Sequence, residues 1–232
     1  MDRQINLIRV TRPDGSPIAV VANYAMHGTV MSGQNLKISG DAPGVVAAYL
    51  EEQLGGTVLY VNGAAGNIAP IYSVYADASS GHLSQFRVLL GDKVIAAVRA
   101  MPGGTDRVLI RHAAQVVETP RRPDLAWPDE LAPHATADRA RIRLPLRFAA
   151  INDTVIWSAP VEMFCEIAMN IRDRSPFKRT FYFGYTNGWF GYLPTARGFE
   201  EGGYEPRTSP FTAQVEADVT TAVPTFLGRF RR

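Results

Sequence analysis

Apolar and polar positions alternate along this chain in two rhythms, and the change from one to the other divides it into elements. Residues 5–10 and 18–23 are short β-branched runs on either side of Pro13-Asp-Gly-Ser16, so they read as two strands joined by a tight turn. Residues 43–54 read as a helix from the signals at its two ends. Asp41 is placed to cap that helix, Pro43 fits its first turn, and Gly55-Gly56 ends it. Residues 57–61 return as a strand. Over 80–101, Leu83, Phe86, Leu90, Val94 and Val98 recur every three or four positions and predict the clearest helix of the chain. In 141–148, Ile142, Leu144, Leu146 and Phe148 alternate with Arg141, Arg143 and Arg147, the pattern of a half-buried strand.

The remaining elements are shorter. Strands are predicted over 108–117, 154–157 and 179–185, a helix from Pro160 to about Arg174, and a last helix over 212–226 that Pro224 should break. Residues 119–140 carry four prolines and no periodicity, the mark of a functional flap or a mobile excursion. Strands and helices do not alternate as they do in a doubly wound sheet. The expected fold class is therefore mixed α/β of the α+β kind, a mixed β-sheet with flanking helices.

Composition narrows the functional classes. With 232 residues and 46% apolar content, the chain can bury a substantial core as one domain. A net charge of +2 with scattered basic residues leaves no electrostatic footprint for nucleic acid. One cysteine, Cys165, excludes an internal disulfide framework. No run approaches the ~20 apolar residues of a membrane span, and no signal-peptide pattern is present, so compartment stays open.

The groups able to do chemistry centre on Asn23-Tyr-Ala-Met-His27-Gly-Thr29, where a strand gives way to a loop rich in small polar residues. His27 is either a satisfied structural histidine or a ligand. His82, His112 and His134 have positions that suit surface or structural roles. Glu162 stands in apolar company at the predicted start of a helix, where it either caps the helix or meets a cation. Asn62-Gly-Ala-Ala-Gly-Asn67 follows a strand but is neither a dinucleotide fingerprint nor a phosphate loop, and reads as a tight turn packed near the His27 loop. There is no Gly-x-Ser-x-Gly and no His-Glu-x-x-His.

Five blocks taken together resemble the neutral/alkaline non-lysosomal ceramidase family. They are Asn23 to Thr29, Ser39-Gly-Asp41-x-Pro-Gly44, Asn62 to Asn67, Pro160-Val-Glu162, and Gly191-Tyr192-x-x-Thr195 through Gly203-Tyr204-Glu205, in the order of that family. The resemblance covers 5–211 and is closest to the shorter bacterial members. It implies a partial ceramidase-type catalytic domain. It further implies a zinc-dependent amidohydrolase that cleaves the N-acyl bond of ceramide or a related lipid amide. On the matching positions His27, Glu162 and Tyr192 become metal ligands, and Tyr204 a tyrosine that stabilises the oxyanion. The family's His-x-His segment, which carries a further histidine ligand, has no counterpart here. The chain is accordingly expected to be the C-terminal half of such an enzyme, to need a complementary N-terminal half, and by itself to hydrolyse N-acyl amides poorly or not at all. Full-length relatives are commonly exported. The competing expectation is a non-catalytic module that binds a lipid, a glycan or a partner chain.

Overall fold

The computed structural model describes residues 1–33, 35–74 and 80–231. Contacts divide the chain into two compact units, one of 3–62 and 68–106, the other of 1–2, 63–67 and 107–232.

In the first unit, β1 (Asn6–Thr11) and β2 (Pro17–Tyr24) form the expected antiparallel hairpin, and β3 (Thr57–Asn62) adds parallel to β2. Helix α1 (Asp41–Leu54) makes the crossover between these parallel strands. The predicted 80–101 helix is interrupted: α2 (Ser80–Ser84), a π-helical turn over Arg87–Gly91, and α3 (Asp92–Arg99). The wide turn brings Gly91 against the Tyr49 ring, where an added Cβ would lie 2.6 Å from Cδ1. The periodic residues Phe86, Leu90, Val94 and Val98 are buried nonetheless, in one cluster with Val46 and Leu50 of α1 and with Val20, Ala22 and Val58 of the sheet.

Helix α1, the π-helical turn and α3 thus pack on the face of Val20, Ala22 and Val58. Register puts Ile8, Val10, Val21, Leu59 and Val61 on the other, where Val10 is 43% and Leu59 51% exposed. An aliphatic face of this kind on a partly parallel sheet is normally covered by a second layer.

Asp41 departs from the expected cap. It is the first helical residue, at φ 51°, and the N-cap position before it is Gly40, which has no side chain to cap with. Its buried carboxylate instead accepts the N–H groups of Val30 (3.0 Å), Met31 (2.8 Å) and Ala42 (2.7 Å), which fastens the loop after His27 to the helix.

The second unit holds a four-stranded sheet in the order β4 (Ile110–Pro120), β5 (Arg141–Ile151), β6 (Thr154–Ser158) and β8 (Arg179–Phe183), antiparallel except for the β6–β8 pair. The alternation read in β5 is realised, with Ile142, Leu144, Leu146 and Phe148 buried. Pro145 costs no ladder bond to β6, because β6 pairs only from Arg147 onwards. Between β6 and β8 the chain makes the two-residue β7 (Glu162–Met163) and α4 (Cys165–Asp173). After β8 come β9 (Tyr192–Leu193), α5 (Ala196–Glu201), α6 (Tyr204–Thr208) and α7 (Gln214–Phe230). Helix α7 packs against β4 and α4 and buries Val215, Val219, Val223 and Leu227 at a spacing of four. The mixed sheets with flanking helices are the expected α+β class.

Pro224 does not break α7, contrary to the expectation. A proline there has no N–H for the carbonyl four residues back, and the guanidinium of Arg174 reaches that Thr220 carbonyl at 2.6 Å in its place. Arg174→Ala should therefore lower stability by about 0.5–1.5 kcal/mol. In a Pro224→Ala background, where the backbone bond is restored, the same substitution should cost close to nothing. Urea denaturation of the four proteins gives the coupling, and equal costs in both backgrounds would reject this account.

The proline-rich stretch is tied down as a loop. Arg121 donates to the carbonyls of Arg122, Leu125 and Arg139, and Arg122 to that of Pro206. Trp127, just before a short 3-10 turn (Asp129–His134), and His134 at the end of that turn both pack on Phe190, with ring centroids 5.8 and 4.9 Å away.

Candidate active site

Glu162 lies in β7, not at a helix start, and the capping reading fails with that placement. Helix α4 begins after Phe164, and the side chain at its N-terminus is that of Asn67, whose Oδ1 accepts the Cys165 N–H at 2.9 Å. The same amide donates to Glu166 at 2.8 Å. One residue earlier, Gly66 N–H bonds the Met163 carbonyl at 2.8 Å, so close that any side chain on Gly66 would strike the Glu162 backbone. The small-residue loop is thus a clamp on the strand that carries Glu162.

On its other side that strand pairs in parallel with β9, Glu162 opposite Tyr192, through Glu162 N–H to the Gly191 carbonyl (3.0 Å) and Phe164 N–H to the Leu193 carbonyl (3.0 Å). Parallel register puts the two side chains next to each other on one face. The Tyr204 ring meets the Tyr192 ring edge-on, centroids 5.9 Å apart, and Tyr204 is 59% exposed where α6 starts. Gly202 and Gly203, at φ 74° and 114°, make the turn that brings Tyr204 back to Tyr192.

Two further residues reach Glu162. Trp189 Nε1 donates to Oε1 at 2.8 Å, and the Tyr185 hydroxyl donates to Oε2 at 3.5 Å. Neither stands out in the sequence as a site residue. Tyr185 reads there as the end of a strand, whereas it sits just past β8 at φ 55° with its side chain turned to the carboxylate.

Burial first, and then the charge of Glu162, pushes the Tyr185 and Tyr192 phenols well above the ordinary 10.0. Both stay protonated and can donate hydrogen bonds across the neutral range. A raised folded-state value means that these groups contribute stability below pH 10 and lose it as pH rises beyond, since the unfolded chain ionises first. In an absorbance titration of the folded protein, fewer tyrosines should ionise near pH 10 than after unfolding in urea. Full native titration near pH 10 would contradict the burial.

His27 belongs to the other unit. Strand β2 ends at Tyr24, and the turn that follows is pinned by Met26 N–H to Asn62 Oδ1 (3.0 Å) and His27 N–H to the Ile68 carbonyl (3.0 Å). The residues flanking the small-residue loop thus hold the His27 turn. Among the other histidines, His82 stacks on Tyr72 with centroids 4.5 Å apart, His112 is exposed on β4, and His134 packs on Phe190. Among the described residues, no three His, Cys, Asp or Glu side chains gather as a metal cluster. The expected ligand set, with one imidazole, one carboxylate and one phenol, is of a different composition.

No protein-family model matches the chain, and none of the curated proteins matches its sequence. Solved structures do match its fold. Neutral ceramidase from Pseudomonas aeruginosa aligns over 100% of this chain and 47% of its own, with a TM-score of 0.75 at 15% identity. A ceramidase complexed with C2 aligns over 100% and 48%, with a TM-score of 0.77 at 14% identity. The fold is that of about half a ceramidase. The chain spans less than half the length of either structure, and the ceramidase-like architecture is reached at an identity where side chains have diverged widely.

Proposed function

We propose that this chain carries part of the active site of a ceramidase-type zinc amidohydrolase, acting on the N-acyl bond of ceramide or a related lipid amide. The observation that supports the reading best is the meeting of Glu162, Tyr192 and Tyr204 within a ceramidase fold.

The donor set suits a cation. Glu162 offers a buried carboxylate and Tyr192 an adjacent phenol, and the anionic charge already bears on two tyrosines. In this reading Glu162 and Tyr192 would hold the zinc ion, His27 would be the imidazole ligand that the family resemblance implies, and a second histidine would come from the remainder of a ceramidase-like assembly. Zinc at such a site supplies Lewis acidity, which polarises an amide carbonyl and acidifies water. Tyr204, exposed at the start of α6, donates its hydroxyl to the carbonyl oxygen as negative charge builds there, a contribution whose loss typically costs ~10²–10³ in rate. The Tyr192 ring orients Tyr204 by edge contact.

Equilibrium dialysis against zinc tests the reading. The unsubstituted chain should bind one zinc ion, and His27→Ala or Glu162→Ala should weaken binding at least about tenfold. Turnover of a fluorogenic ceramide analogue by this chain alone should be slow or absent. A second reading, a non-catalytic module for a partner chain, draws on the aliphatic sheet face with Val10 and Leu59 exposed. Failure to bind zinc under any condition would favour it.

A further inference from the structure

Trp189 is an unusual residue to leave in solvent. It is 60% exposed, so packing accounts for little of its position, yet its indole N–H reaches a carboxylate that is only 8% exposed. The loop that delivers it is held by force. Tyr185 and Asn187 are non-glycine residues at φ 55° and 64°, Gly188 follows at 134° and Gly191 at 87°. Four backbone bonds wrap this loop around 159–162: Tyr185 N–H to Val161, Thr186 N–H to Ala159, Phe190 N–H to Pro160, and Gly191 receiving from Glu162. Left-handed conformations at Tyr185 and Asn187 cost free energy and persist only where the surroundings impose them. Their effect is to bring two neutral donors of one loop to the two oxygens of one side chain, Trp189 to Oε1 and Tyr185 to Oε2.

These two contacts differ. At 2.8 Å the indole bond is short and charge-assisted, whereas the phenol at 3.5 Å is at the limit of hydrogen bonding. Of the two loop donors, the indole therefore holds the carboxylate the more firmly, through Oε1.

We propose that Trp189 is a positioning residue, which holds the Glu162 carboxylate by Oε1 and so fixes its orientation toward a bound cation. The inference rests on the zinc reading above and adds to it the orientation of one ligand. Partners that orient a metal ligand typically contribute 10–100-fold in metal affinity.

Trp189→Phe keeps an aromatic ring but removes the donor, and at 60% exposure the smaller ring leaves no buried cavity. Zinc affinity by equilibrium dialysis should fall by about tenfold. The Trp189 indole N–H resonance, assigned by its loss in Trp189→Phe, should move on Glu162→Gln and, in the unsubstituted protein, on adding zinc. That of Trp127, which donates to the Leu131 carbonyl, should not. Zinc binding that Trp189→Phe leaves intact, or an indole resonance blind to Glu162→Gln, overturns the role of Trp189 alone. An unsubstituted chain that takes no zinc overturns the underlying site reading together with it.

Discussion

Gly66→Ala should lower the stability of the 107–232 unit by about 3 kcal/mol, near the upper end of overpacking costs, a fall in melting temperature of roughly 6–12 °C. A single methyl group has this effect because of what it meets. The Cβ would overlap the Glu162 carbonyl oxygen and lie 2.9 Å from the carbonyl carbons of Glu162 and Met163. Backbone cannot rotate away as a side chain can, so either the Gly66 to Met163 hydrogen bond breaks or β7 shifts. A shift of β7 carries Glu162 away from Tyr192, and zinc binding should fall with stability. Gly228→Ala makes the control. That glycine lies in α7 with nothing within 4 Å of where the methyl group would stand, and alanine there should raise stability by about 0.5–1 kcal/mol. Thermal denaturation of both variants checks the pair. Similar effects at the two sites would show that intrinsic glycine preference, and not the close approach to Glu162, governs Gly66.

Asp41→Ala should cost about 3–5 kcal/mol, with the loss confined to the unit that contains His27. One carboxylate there satisfies three backbone N–H groups in a buried setting, and bonds to a charged acceptor contribute about 1.5–3 kcal/mol each net of water, less than additively when they share one carboxylate. Two of the three donors, Val30 and Met31, belong to the loop that follows His27, so hydrogen exchange at those two amides should accelerate first. Asp41→Gly separates the two contributions. It removes the acceptors but relieves the left-handed φ of 51°, and should be less damaging than alanine by about 1 kcal/mol. Unchanged protection at Val30 and Met31 in either variant would rule out the carboxylate as the anchor of the loop.

Both effects belong to contacts that cross long stretches of sequence, and they mark where sequence reading stops. Elements with an internal rhythm were legible. The β1–β2 hairpin follows from two β-branched runs and Pro-Asp-Gly, and β5 from strict alternation, because each pattern expresses its own burial. The buried positions of 80–101 were legible too, but the π-helical turn was not, since it depends on the fit of Gly91 to Tyr49. Pro224 reads as a helix breaker for a sound local reason, and Arg174, fifty residues earlier, removes that reason by supplying the missing donor.

The candidate site divides in the same way. Glu162, Tyr192 and Tyr204 could be singled out from spaced blocks of sequence, but their chemistry could not be read there. Apolar neighbours and a preceding proline make Glu162 look like a helix start, whereas two-residue strands such as β7 exist only by virtue of the partner they pair with. Trp189 and Tyr185 carry no periodicity or motif of their own, and come to face Glu162 only because a strained loop folds back over 159–162.

The sequence by itself determined the α+β class and most strands and helices, because burial periodicity and turn chemistry act over a few neighbouring residues. Tertiary structure alone decided that Glu162 is a strand residue beside Tyr192, that Gly66 must have no side chain, and which donors face the carboxylate. Those features arise from pairing and close approach between segments tens of residues apart, where no local preference operates.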